Sequence, residues 1–284
     1  MLKAYYRLTK PGIIYGNAIT VVAGFLLASK GHVDVALLLA TLVGVSLVIA
    51  SGCVFNNYID RGIDSKMTRT KKRALVTGDI SGQNALIYAT LLGLVGFVLL
   101  GVFVNTLTVL LGIFALLVYV ILYGISKRAS VHGTLVGSVA GAMPIVAGYA
   151  AVTNSLDTGA WLLFLVLAVW QMPHFYAIAT YRKKDYASAG LPVLTVKLGN
   201  RPAKVQIVTY IVMFLLAVTL LTLYGYTGVA YLVVTLLAGL AWLRLALLGF
   251  SAKDDNKWAR KLFGFSLLVL LIFSFMISIN NFLP

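Results

Sequence analysis

The chain has 284 residues, of which 61% are hydrophobic and only 11% charged. That balance excludes a soluble globular protein and reads as a polytopic membrane protein. The formal net charge of +15 would suit a nucleic-acid binder, but the positive residues fall in short loops between apolar stretches, a pattern of membrane topology, so nucleic acid is excluded as a partner. The single cysteine, Cys53, leaves no internal disulfide to form.

In chain order, Lys3, Arg7 and Lys10 precede an apolar stretch at 12–29. It resembles a signal peptide, but it ends in Ser29-Lys30-Gly31 without a small-x-small cleavage site and is read as a retained span. Further spans are predicted at 35–57, 85–104, 107–125, 133–153, 159–180, 205–224, 228–249 and 262–282. Each is close to the ~20 residues that cross a bilayer as a helix. Only Asn105-Thr106 marks the break between the third and fourth.

The expected fold class is therefore all-α: a polytopic transmembrane bundle of about nine helices, forming one domain over 1–284. Helices one to four and five to eight form a weak internal repeat, with the ninth extra. With nine spans, Lys30 is the only one of 23 Lys and Arg residues to fall on its side. So lopsided a split predicts a cytoplasmic N-terminus and an external C-terminus.

Two polar runs stand where spans should end. The first is Asn56-Asn57-Tyr58-Ile59-Asp60-Arg61-Gly62-Ile63-Asp64, trailed by Lys66, Arg69, Lys71, Lys72 and Arg73. The second is Tyr181-Arg182-Lys183-Lys184-Asp185. The chain has eight acidic residues, and three of them lie in these runs. Asn56, Asp60 and Asp64 are spaced four apart, so a helix continuing past the membrane surface would line them on one face. Such a face offers oxygen ligands to Mg²⁺, which binds one or two carboxylates together with substrate phosphates. The basic block after it reads either as a topology signal with attraction to anionic lipid or as a diphosphate clamp, with Arg69 and Lys72 or Arg73 as the clamping residues. Asp185 is a candidate further ligand or water positioner, with Tyr181 facing the same site. One of Arg182, Lys183 and Lys184 is expected to bind phosphate. Gln171 and His174, in Trp170-Gln-Met-Pro-His-Phe175, are polar groups inside a span and should face a cavity or the protein interior. His174 reads either as an interior hydrogen-bonding residue or as one that orients a substrate.

These motifs resemble a known family. Asn-x3-Asp-x3-Asp after the second of nine helices, with an Asp site after the sixth, is similar to the UbiA-type intramembrane prenyltransferases. Leu8-Thr-Lys-Pro-Gly12, Ala50 through Asp60-Arg61, Trp170 through Phe175, and Asp185-Tyr186 through Gly190-Leu-Pro-Val193 resemble its haem O synthase (protohaem IX farnesyltransferase) branch. The likeness runs over essentially the whole chain. It departs from the wider superfamily at Tyr181, where a second Asp often stands.

The resemblance implies farnesyl diphosphate and haem b as substrates, with Mg²⁺ held by Asn56, Asp60, Asp64 and Asp185. Asn57, Arg69, Lys72, Arg73, Gln171, His174, Arg182 and Lys184 would be substrate-binding residues. It also implies an active site on the cytoplasmic side of a bacterial inner membrane, haem O as product, and a haem A synthase or terminal oxidase downstream. An aromatic or quinone-precursor prenyltransferase is the nearest rival. A secondary transporter is the rival from another class, disfavoured because ionisable residues are lacking at midspan.

Overall fold

A computed structural model describes residues 1–283. Among them there is no strand, and nine helices are long and apolar enough to cross a membrane. A short helix, α1 (Leu2–Leu8), leads into the spans α2 (Pro11–Ser29), α3 (Val35–Asp64), α4 (Gly82–Phe103), α5 (Thr106–Ala129), α6 (Gly133–Thr153) and α7 (Thr158–Tyr181). After α7 come a surface helix, α8 (Lys183–Ser188), and the spans α9 (Asn200–Leu223), α10 (Val229–Leu247) and α11 (Asp255–Ile279).

Most spans fall within a few residues of their predicted limits, but the second runs on past 57 to Asp64 and the last begins at Asp255 rather than 262. The break between the third and fourth holds because Asn105 caps α5: its Oδ1 accepts the Thr108 N–H at 2.8 Å, and its Nδ2 donates to the Ala150 carbonyl of α6 at 3.0 Å. Asp34 and Asp157 cap α3 and α7 in the same way, accepting from Leu37 N and Ala160 N. Pro144 and Pro173 sit inside α6 and α7 without breaking them, as membrane helices allow when neighbours satisfy the freed carbonyls.

The helices close on one another. α3 packs on α4 and α2, α2 on α6 and α11, α7 on α6, α9 and α11, and α10 on α9 and α11. At the α2–α6 crossing the backbones nearly touch. A Cβ on Gly24 would stand 2.1 Å from the Ile145 carbonyl oxygen, and one on Gly148 would stand 2.1 Å from that of Val21. No side chain fits there, so glycine is the residue that lets these helices meet. The outer faces are apolar: Leu91, Leu94, Val95, Val98 and Val102 of α4 are exposed and suited to lipid.

Candidate active site

The site is built on the far end of α3. This helix has 30 residues, about 45 Å at 1.5 Å per residue, against a hydrocarbon core of ~30 Å. Its last turns therefore reach past the membrane interior, and they carry Asn56, Asp60 and Asp64 on one face. All three are buried, at 4%, 9% and 2% exposure.

Buried carboxylates need partners, and each of these polar groups holds a cation from a different segment. The Asn56 Oδ1 accepts from Lys10 Nζ at 2.7 Å. Asp60 is paired with Lys127 and with Arg128, whose Nη2 is 3.1 Å away. Arg128 also donates to the Ile59 carbonyl. Arg73 Nη1 lies 2.5 Å from Asp64 and also donates to Asn57 Oδ1 at 2.9 Å. The Thr70 hydroxyl donates to the Asp64 carbonyl, folding the loop after α3 back over its end.

Local backbone puts these cations in place. Lys10 joins α1 to α2 in a left-handed conformation, φ 53°. The following Pro11 disfavours the right-handed helical region for the residue before it, and the turn aims Lys10 at α3. Burial pushes the Lys10 ammonium down to about 8; Arg73 and Lys127 push the same way, while Cys53 and Asp60 oppose. In α5, wider π-helical turns at Val118–Leu122 shift the helical register. Tyr119 and Tyr123 stack at 5.7 Å, and Lys127 Nζ lies 4.9 Å from the centre of the Tyr123 ring. Such turns recur at functional sites.

The second run is placed next to the first by its loop. Ser188 Oγ donates to the Lys66 carbonyl at 3.0 Å. The Tyr186 hydroxyl is pushed up by burial, with the charge of Arg69 pulling the other way. Asp185 lies 3.8 Å from Arg182. The guanidinium groups of Arg182 and Arg260 lie 5.4 and 5.7 Å from the centre of the Tyr181 ring. Lys184 is exposed.

Gln171 and His174 are committed to helix–helix contacts. Gln171 Nε2 donates to the Ser138 carbonyl of α6 at 3.2 Å. His174 Nδ1 is 2.8 Å from Ser266 Oγ of α11, and its ring stacks on Trp170 at 4.9 Å. The structure thus turns His174 to α11 rather than to α3. Arg69 and Lys72, expected on the diphosphate, line a cavity beneath α1, whereas Arg73 reaches both that cavity and Asp64.

Among the described residues, no three of the His, Cys and Asp side chains converge on one point. Asp185 is therefore not gathered with Asp60 and Asp64 into the expected ligand set. What remains is two buried carboxylates and an amide oxygen on one face. That set fits Mg²⁺, a cation that retains waters and takes substrate phosphate oxygens as further ligands. Sequence reasoning missed Lys10, Lys127 and Arg128 as site residues and counted them only as topology signals. The one available cue was the i, i+4 pairing of Tyr123 with Lys127.

Residues 17–272 match the UbiA prenyltransferase family. The chain belongs to that family. It is 54% identical over 281 residues to Protoheme IX farnesyltransferase 2 of Pseudomonas putida (strain GB-1), covering 99% of this chain and 95% of that one. It is 54% identical over 285 residues to Protoheme IX farnesyltransferase of Salmonella typhimurium, covering 100% and 96%. Among solved structures it superposes on a digeranylgeranylglyceryl phosphate synthase with a TM-score of 0.79, at 20% identity, over 99% of this chain and 98% of that one. A UbiA homolog from Archaeoglobus fulgidus bound to GPP and Mg²⁺ gives a TM-score of 0.70 at 14% identity, over 97% and 99%. At those identities the structures show a shared UbiA fold. The chain is an integral membrane prenyltransferase of the UbiA family, and the ladder at the end of α3 is its candidate active site.

Proposed function

We propose that the chain transfers the farnesyl group of farnesyl diphosphate to a vinyl carbon of protohaem, with addition of water, giving haem O and diphosphate. The observation that carries the chemistry is the ring of cations around the buried Asn56, Asp60 and Asp64 ladder. The acceptor is supported by full-length relatives named for protohaem farnesylation.

In this reading Asn56, Asp60 and Asp64 would hold Mg²⁺, which would supply charge neutralisation to the leaving diphosphate. Lys127, Arg128, Arg73 and Lys10, which surround the ladder, would donate to the phosphate oxygens. Donors preset around a departing anion are worth most in a water-poor site. Ionisation breaks the bond between C1 and its oxygen, and diphosphate leaves with the electron pair. The vinyl π electrons form the new carbon–carbon bond. Water adds to the resulting cation beside the porphyrin, and its proton goes to solvent. The stacked Tyr119 and Tyr123 wall off the reacting end and limit premature capture by water. Asp185, drawn in by the contact between Ser188 and Lys66, serves as a positioning residue at the rim.

The basic face is cytoplasmic by the positive-inside rule, in the inner membrane of a bacterium. A haem A synthase or terminal oxidase is the expected consumer of the product. The test is turnover of the purified protein with farnesyl diphosphate, protohaem and Mg²⁺. Diphosphate release matched by a haem product heavier by a farnesyl group plus water is expected. Release only with an aromatic acceptor, or no haem product, would overturn the reading.

A further inference from the structure

A cavity of about 390 Å³ lies between α1 and the loop after α3. Its wall gathers Lys3 and Arg7 from α1 with Arg69, Lys72 and Arg73 from the loop, against one acid, Asp79. The Asp79 carboxylate already accepts a hydrogen bond from the Thr77 hydroxyl at 2.8 Å. Topology asks only that such residues lie on one side of the membrane. It does not ask that cations from two segments converge on one hollow, where they repel one another until an anion arrives.

The convergence is built. Asn57 Nδ2 donates to the Leu8 carbonyl at 2.7 Å and ties the end of α1 to α3. Leu8 is buried with Val54, Leu75 and Ile80. The Tyr5 ring meets Tyr88 edge-on at 5.1 Å. These contacts fix the helix that carries Lys3 and Arg7 over the loop that carries the others.

The cavity meets the ladder only at its Asp64 end. Asn57 and Arg73 are on its wall, Asn57 about 20° around α3 from Asp64, whereas Lys10, Lys127 and Arg128, which serve Asn56 and Asp60, are not. Arg73 is shared, so the cavity adjoins the reacting centre without coinciding with it. The acceptor of the proposed reaction is itself a dianion, with two carboxylates on one edge and its vinyl groups on the opposite edge. An anchor at the outer rim would turn the vinyl edge inward.

We propose that this cavity binds the paired carboxylates of the protohaem acceptor. The proposal rests on protohaem being the acceptor. Arg7 and Lys72 are its outer contacts; both are exposed, so their replacement leaves the fold intact. A lipid headgroup phosphate carries the same anionic chemistry, and the test separates the two sources.

The measurement is a Soret titration of the metal-free protein with haem b and with haem b dimethyl ester, in detergent and in phosphatidylglycerol nanodiscs. Wild type is expected to bind haem b on the order of tenfold or more tighter than the ester. The Arg7→Gln/Lys72→Gln double variant should lose that preference, with ester binding and farnesyl diphosphate binding unchanged. Equal binding of haem b and its ester by wild type, or an unchanged preference in the variant, overturns the cavity assignment and leaves the acceptor standing. Wild type that binds neither haem sinks the acceptor reading itself. A variant that keeps its haem preference but loses bound phosphatidylglycerol assigns the cavity to lipid.

Discussion

Asp60 and Asp64 differ in what they hold, so their replacement has different side effects. Asp60→Asn removes the charge that two cations share, and Asp64→Asn frees Arg73. Either change should lower turnover on the order of 100-fold, with folded protein still recovered from the membrane; near-normal Mg²⁺-dependent rates in both would exclude this face as the metal–diphosphate site. Asp34 and Asp157, as helix caps, belong to stability instead. Asp157→Ala removes both the α7 cap and the acceptor of the Tyr149 hydroxyl at 3.0 Å. It should cost about 1–2 kcal/mol, read as a lower Tm, with activity per folded molecule unchanged.

Lys10 gives a pH signature. Its folded value of about 8 lies below the ordinary 10.5, so between those values the unfolded chain binds more protons and stability rises with pH. The groups acting on it are Cys53 and Asp60, which favour the charged form, and Arg73 and Lys127, which oppose it. Metal-free protein should gain thermal stability from about pH 8 upward, and Lys10→Met should flatten that rise. An identical pH profile in the variant would mean that Lys10 is not the group responsible.

The elements were legible where apolar length and polar spacing agree. Asn56, Asp60 and Asp64 fell on one face because a four-residue repeat survives any helix that continues, and α3 does continue to Asp64. Lys127 and Arg128 were not legible as site residues, since a basic pair at a helix end looks the same whether it fixes topology or grips a carboxylate. His174 could not be placed either; its partner Ser266 lies 92 residues away on α11. Gly24 and Gly148 looked like ordinary membrane glycines until α2 and α6 were brought together. Gly148→Ala should force these helices apart and destabilise the protein by about 1–3 kcal/mol. A Tm equal to wild type would show that the crossing relaxes freely.

At the scale of the molecule, nine candidate spans among the described residues and the lopsided distribution of Lys and Arg predict chain ends on opposite faces, with nearly all the basic side chains on one of them. A reporter fused after Pro284 should read as periplasmic; a cytoplasmic signal would sink the proposed orientation. The cavity under α1 was invisible in the sequence because it exists only once α1 folds back against a loop some sixty residues on. The loops after α3 and α7 likewise meet only through the chain's global path, at Ser188 and Lys66.

Because Asn56, Asp60 and Asp64 each already grip a side-chain cation, the site carries its own counter-ions. If the proposed function holds, magnesium arriving alone would have to displace lysine and arginine that then have nothing to hold, and a diphosphate arriving alone would have to pull those same groups from carboxylates left bare. The two together would satisfy both sets of groups. Calorimetric titration should then find each ion binding weakly by itself and strongly in the presence of the other, with the same factor in both directions. Independent binding of the two would show that the internal ion pairs exert no such control.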